Sequence, residues 1–122
     1  MINVQAKPLQ DRAATIDTLV SRIVEEYSPY QVILFGSHAY GEPDSDSDID
    51  LFILKETTER FIDRWTRVQM ILAGLSTSVG VDTIVLTPSE LQERLKRGDQ
   101  WIEEILHRGK IIYDHAERLV IS

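Results

Sequence analysis

Apolar residues recur along this chain in two rhythms, one close to the 3.6-residue period of a helix and one of short unbroken runs. Their alternation predicts the order of elements. Ile16, Leu19, Val20, Ile23, Val24 and Tyr27 fall at three-and-four spacing, which marks one face of a helix that Pro29 closes. Val32-Ile33-Leu34-Phe35 follows as a short apolar run stopped by Gly36, the pattern of a buried strand. Ile49-Asp50-Leu51-Phe52-Ile53-Leu54 predicts a second strand. Phe61, Trp65, Val68, Leu72 and Leu75 lie on one stripe of a long helix that fades between Gly74 and Gly80. Val81-Asp82-Thr83-Ile84-Val85-Leu86 predicts a third strand, and clear punctuation follows it. Thr87 as cap, Pro88 at the first helical position and Glu90 reaching back form a capping box, opening a helix that stops at Gly98. Asp99 caps one more helix, on which Trp101 pairs with Ile105 and Ile102 with Leu106 before Gly109 ends it. Lys110 to Tyr113 adds a last short strand. Strands alternating with helices place the chain in the α/β (α+β) class, with a small mixed sheet flanked by helices in one domain spanning residues 1–122. Periodicity leaves the strand order open.

Composition changes this picture in one place. The 122 residues carry 13 Lys+Arg against 20 Asp+Glu, a formal net charge of −7. Five of those acids, Glu42, Asp44, Asp46, Asp48 and Asp50, fall within nine residues that contain no Lys or Arg, so the remainder carries only −2. Nucleic-acid affinity comes largely from Lys and Arg neutralising phosphates, so direct nucleic-acid binding is not expected. The 43% hydrophobic and 27% charged content is that of a folded domain. With no Cys, disulfides, thiolate metal sites and a cysteine nucleophile are excluded. No apolar run approaches the roughly 18 residues of a membrane span, and the first residues lack a signal-peptide core, so a cytoplasmic protein away from membranes is expected.

The acidic segment carries the candidate chemistry. Gly36 and Ser37 follow the first strand directly, and ten residues later Asp48-Ile49-Asp50 opens the second. Alternate strand residues share a face, so Asp48 and Asp50 project together while Ile49 and Leu51 point the other way. Carboxylates that close repel unless neutralised, and magnesium, a hard cation served by carboxylates, waters and substrate phosphates, suits them. Gly36 permits close backbone approach, and Ser37 offers a hydroxyl and an N–H where a short helical turn begins, a seat for phosphate. A phosphate seat facing paired carboxylates points to phosphoryl or nucleotidyl transfer with two metal ions. Asp82 opens the third strand, where aspartate is intrinsically disfavoured, and a neighbouring strand could bring it beside Asp50.

This arrangement of Gly36-Ser37, Asp48-Ile49-Asp50 and Asp82 resembles the nucleotidyltransferase superfamily that includes DNA polymerase beta and kanamycin nucleotidyltransferase. More narrowly, it resembles the minimal nucleotidyltransferases, the MntA-like antitoxins paired with HEPN-domain toxins. The resemblance implies that Gly36 and Ser37 contact the nucleotide phosphates and that Asp48 and Asp50 ligate two Mg²⁺ ions. It also implies that Asp82 completes a metal site and assists deprotonation of the acceptor hydroxyl. It further implies transfer of AMP from ATP to a tyrosine of a partner HEPN ribonuclease toxin, which silences it. One departure stands out: minimal members often carry basic residues just after the Gly-Ser pair, whereas this chain has His38-Ala39-Tyr40-Gly41. The cation for the triphosphate must then come from elsewhere or be missing, with Lys55, Arg60 and Arg64 near in sequence. A binding module that masks its toxin without catalysis, and a transferase acting on an antibiotic, are the other readings.

Plainer roles compete for several residues. Glu42, Asp44 and Asp46 read as solvated loop, and the run Asp44 to Asp48 mimics a calcium loop but fails at its sixth position, Ile49, and its twelfth, Lys55. His38 is open to a phosphate contact or a local structural role, while His107 and His115 suit surface or helix-end positions. Trp65 and Trp101 read as core or partner-interface residues. The apolar end Leu119-Val120-Ile121 suits either a partner contact or packing on the domain.

Overall fold

A strand whose residues are apolar on both sides needs cover on both faces, and β1 (Gln31–Phe35) has it. The computed structural model describes residues 10–43, 47–75 and 79–116; Asp44, Asp46 and the apolar end at 119–121 lie outside the described residues. Around β1 the chain lays down α1 (Gln10–Tyr27), α2 (Ser37–Tyr40), β2 (Ile49–Leu54), α3 (Phe61–Ala73), β3 (Val81–Leu86), α4 (Pro88–Lys96), α5 (Gln100–Arg108) and β4 (Lys110–Asp114). The four strands form one sheet in the order β3-β2-β1-β4. β1 runs antiparallel to β2 and β4, and β2 runs parallel to β3. The sheet is therefore mixed, and α3 supplies the crossover that the parallel pair requires.

Two apolar layers sandwich the sheet. On one face Val32, Leu34, Ile49, Leu51, Ile53 and Val85 meet Ile16, Leu19, Val20 and Ile23 of α1 and Val68 and Leu72 of α3. On the other, Ile33, Phe35, Phe52 and Leu86 meet Ile102 and Ile105 of α5, with Leu91 and Leu95 of α4 packed alongside. Residues of β2 at even positions thus share the α4/α5 face with Asp50, and those at odd positions are buried under α1 and α3.

The capping box forms as the spacing predicts: Glu90 N–H donates to Thr87 Oγ1 at 3.2 Å, and Thr87 N–H donates to Glu90 Oε1 at 2.8 Å. Asp99 caps α5 by accepting from Trp101 and Ile102 N–H. Two predicted stripes need correction. Phe61 is 50% and Trp65 45% exposed, so neither is core; the buried face of α3 is Arg64, Val68 and Leu72. The reason is Arg64, whose guanidinium is satisfied inside: Nη1 and Nη2 bond both oxygens of Glu90 at 2.7 and 3.1 Å, Nε bonds Glu59 O at 2.8 Å, and Nη1 also reaches Val85 O at 3.2 Å. An arginine with that many acceptors can hold a buried position that pattern alone assigns to apolar residues. On α5, Ile102 and Ile105 are buried, whereas Trp101 stays 46% exposed with its ring edge-on to Phe35.

The Arg64–Glu90 bond joins α3 to the first turn of α4 and serves two structures at once, because the same carboxylate closes the capping box. Arg64→Ala is expected to cost about 2–4 kcal/mol in urea unfolding, below the top of the range for a buried pair because the Glu90 side chain is 41% exposed. Arg22→Ala, which breaks the exposed i,i+4 pair to Glu26, should stay within about 0.5 kcal/mol.

Candidate active site

One end of the sheet gathers the acidic residues, and backbone pairing brings them there. In the parallel ladder Asp50 stands opposite Asp82, and in the antiparallel ladder Phe35 stands opposite Asp50. The chain leaving β1 therefore passes the Asp50 side chain at Gly36. Gly36 has φ +75°, and a Cβ built there would fall on the Asp50 carboxylate, so only glycine fits on both counts. Gly80, just before β3, plays the same part for Asp48: its missing Cβ leaves the space that the Asp48 carboxylate occupies. Gly80 O also accepts the N–H of Ile49 at 2.9 Å, which starts the parallel ladder.

Ser37 opens the single turn of α2, as the sequence predicts, and Gly36 O accepts the N–H groups of Ala39 and Tyr40 at 3.0 and 3.1 Å. No side chain caps this turn. Gly36, Ser37, Asp48, Asp50 and Asp82 are thus drawn together at the end of β1 and the beginnings of β2 and β3. Glu42 is exposed on the loop that follows α2.

The electrostatics of the cluster are unbalanced. Asp50 is held at a pKa of about 6, first by burial, then by the negative charges of Asp82 and Asp48 and by a hydrogen bond shared with the Asp82 carboxyl. Asp48 and Asp82 are exposed at its sides. Among the described residues no group of three or more His, Asp or Glu side chains is placed so that together they could hold a metal ion. The donors nonetheless suit a hard divalent cation. All three are carboxylates, Asp82 and Asp48 repel Asp50, and Gly36 and Gly80 leave the room that the Asp50 and Asp48 carboxylates occupy.

Several residues left open by pattern are now placed. His38 turns its Nδ1 to the backbone oxygen of Asp48 at 3.0 Å, a local structural role. Lys55, Arg60 and Arg64 are occupied elsewhere. Lys55 lies just past the far end of β2, over the Tyr27 ring and within 3.4 Å of Ser28 O, Arg60 pairs with Asp63, and Arg64 is buried on Glu90. His115 closes a backbone bond to Tyr30 O at 2.8 Å. Gly80 is the site residue that sequence reasoning missed; its only signal was its place immediately ahead of Val81, two residues before Asp82.

Comparison with known proteins bears on the family and the fold of the chain. The sequence model of the nucleotidyltransferase domain family matches residues 16–120. The crystal structure at 1.40 Å of a Sulfolobus solfataricus protein, provisionally named a nucleotidyltransferase, shares the fold with a TM-score of 0.61 at 21% identity, covering 93% of each chain. Among curated proteins no sequence matches significantly.

The raised pKa makes a measurable difference to stability. A carboxyl whose pKa rises from 3.8 to about 6 on folding binds its proton more tightly in the native state, so its effect is most favourable below pH 4 and is lost as pH climbs through 6. Asp50→Asn is expected to remove that loss: its melting temperature should match the wild type near pH 4 and exceed it by several degrees above pH 7. Parallel melting curves for the two proteins across this range would contradict the assignment.

Proposed function

The chain belongs to the nucleotidyltransferase domain family, and from that premise we propose that it transfers AMP from ATP to a tyrosine hydroxyl of a partner protein, a HEPN-domain ribonuclease toxin that it thereby neutralises. The observation that carries the transfer reading is the in-register pairing of Asp50 with Asp82, with Asp48 alongside, directly against Gly36 and Ser37. Asp48, Asp50 and Asp82 would hold two Mg²⁺ ions, which when bound supply charge neutralisation for the triphosphate and acidify the attacking hydroxyl.

The residues divide the remaining work. Gly36 keeps the backbone low enough for the phosphates to approach Asp50, and the N–H and hydroxyl of Ser37 open the turn that receives them. The acceptor oxygen forms a bond to the α-phosphorus as the bond from that phosphorus to the pyrophosphate oxygen breaks. The hydroxyl proton passes to the Asp82 carboxylate, and pyrophosphate leaves with the electron pair. Positioning and charge stabilisation carry most of the rate. A protein acceptor is supported by the openness of the site, since Asp48 and Asp82 are exposed, and by the half-exposed Trp101 ring beside Phe35, one residue from Gly36.

A second reading, in which the chain masks its partner by binding without transfer, is favoured by one observation. His38 faces the backbone, and Lys55, Arg60 and Arg64 are engaged away from the phosphate seat.

Incubation with ATP, Mg²⁺ and the product of the adjacent reading frame, followed by intact mass measurement, separates the two. AMP-sized increments on the partner are expected, reduced at least about a hundredfold with Asp50→Ala. No increment with the wild type, or an undiminished one with the variant, overturns transfer. Neutralisation of the toxin in cells by an Asp48→Ala/Asp50→Ala double variant would favour masking.

A further inference from the structure

The peptide joining Asp48 to Ile49 is gripped from both sides. Its carbonyl oxygen accepts from His38 Nδ1 at 3.0 Å, and its N–H donates to Gly80 O at 2.9 Å. In a trans peptide these groups point in opposite directions, so one bond reaches toward α2 and the other toward β3. A carbonyl oxygen can only accept, which places the imidazole proton on Nδ1. Nε2 is buried with no hydrogen-bond partner among the described residues. Nδ1 is therefore bonded and Nε2 enclosed, and the imidazole is committed to the backbone of a candidate metal ligand.

This bond matters more because α2 is so short. A single uncapped turn has little stability of its own. Ala39 packs toward the α1/α3 layer and Tyr40 toward the α5 layer, where the Arg108 guanidinium lies over its ring at 4.3 Å. The His38 bond is a polar link from the turn carrying Ser37 to the segment carrying Asp48, ten residues away in sequence.

We infer that His38 is a positioning residue: it clamps the Asp48–Ile49 peptide against Gly80, so that the exposed Asp48 carboxylate is aimed at the Asp50–Asp82 pair and the phosphate-facing turn is locked to it. The inference rests on the metal-dependent reading given above. It explains how a histidine serves at the position where basic residues are expected for phosphate: the side chain orders a ligand instead of meeting the nucleotide.

The test uses Mn²⁺ binding followed by electron paramagnetic resonance, together with hydrogen exchange of the Ile49 amide in the metal-free protein. His38→Ala removes the donor. His38→Asn restores one, because its amide nitrogen reaches the place of Nδ1. Mn²⁺ affinity is expected to fall about 10–100-fold in His38→Ala and to return to within about threefold of wild type in His38→Asn, the scale on which groups that orient metal ligands act. The Ile49 amide should exchange faster in His38→Ala and at the wild-type rate in His38→Asn. Should His38→Ala lose its far-UV circular dichroism, His38→Leu, isosteric with asparagine and unable to donate, takes its place. Equal affinity in donor and non-donor variants, or unchanged Ile49 exchange, overturns the inference. If the wild type binds no Mn²⁺, the metal-dependent reading falls, and the Ile49 exchange then decides by itself whether the clamp exists.

Discussion

The parallel pairing of β2 with β3 is the constraint on which the site depends. It sets two aspartates side by side on adjacent strands, about 4.8 Å apart in the backbone, where like charges are least welcome. A slip of one residue would separate them, since it would turn the side chains of β3 to the opposite face. The register is held from several directions. Val85 is buried under α1 and α3 while Leu86 is buried under α4 and α5, so β3 cannot flip without exposing both. The ladder is tied at its ends by Ile49 N–H to Gly80 O and Lys55 N–H to Leu86 O. Gln69 of α3 donates to Val81 O and Thr83 Oγ1, fixing the exposed start of β3 from the side. Repulsion between Asp50 and Asp82 is thereby imposed by packing elsewhere in the sheet.

The two ends of the sheet consequently do opposite things. At the end where β3 leaves the sheet, opposite charges are paired and shared: Glu90 receives Arg64 and closes the cap of α4 in one arrangement. At the end where β3 enters, like charges are crowded and Asp50 keeps its proton to unusually high pH. Local destabilisation of this kind is common where a site must bind something that the protein itself does not supply. The fold tolerates it because the apolar layers on both faces, and the ion pair at the far end, do not depend on the acidic cluster.

Much of this was legible in the sequence, for reasons that can be named. The helices and strands followed from apolar spacing and from punctuation such as Thr87-Pro88-Ser89-Glu90, which encodes a cap in local chemistry alone. The pairing of Asp48 with Asp50 followed from strand alternation. What pattern could not give was anything requiring two distant segments at once. The opposition of Asp50 to Asp82 depends on strand order, the burial of Arg64 depends on Glu90 26 residues away, and the commitment of His38 depends on a carbonyl ten residues on. Phe61 and Trp65 misled for the same reason: their spacing is that of a buried stripe, but the neighbouring Arg64 found enough acceptors to take the inner face.

The acidic excess of the chain takes on a different meaning in this light. Had the carboxylates near residue 48 been simply a solvated loop, no backbone would need to be glycine beside them. Instead Gly36 and Gly80, from two separate connections, each leave out the one atom that would overlap an aspartate of the cluster, and at Gly36 the backbone is also in a conformation that other residues resist. Two independent glycines making room for two carboxylates on one sheet face is an arrangement with a purpose beyond solubility. The room they leave is taken by the Asp50 and Asp48 carboxylates themselves, so the glycines are what lets these negative charges stand close together beside Asp82. A small positive ion is the kind of group that relieves such crowding, because a hard divalent cation is served by carboxylate oxygens.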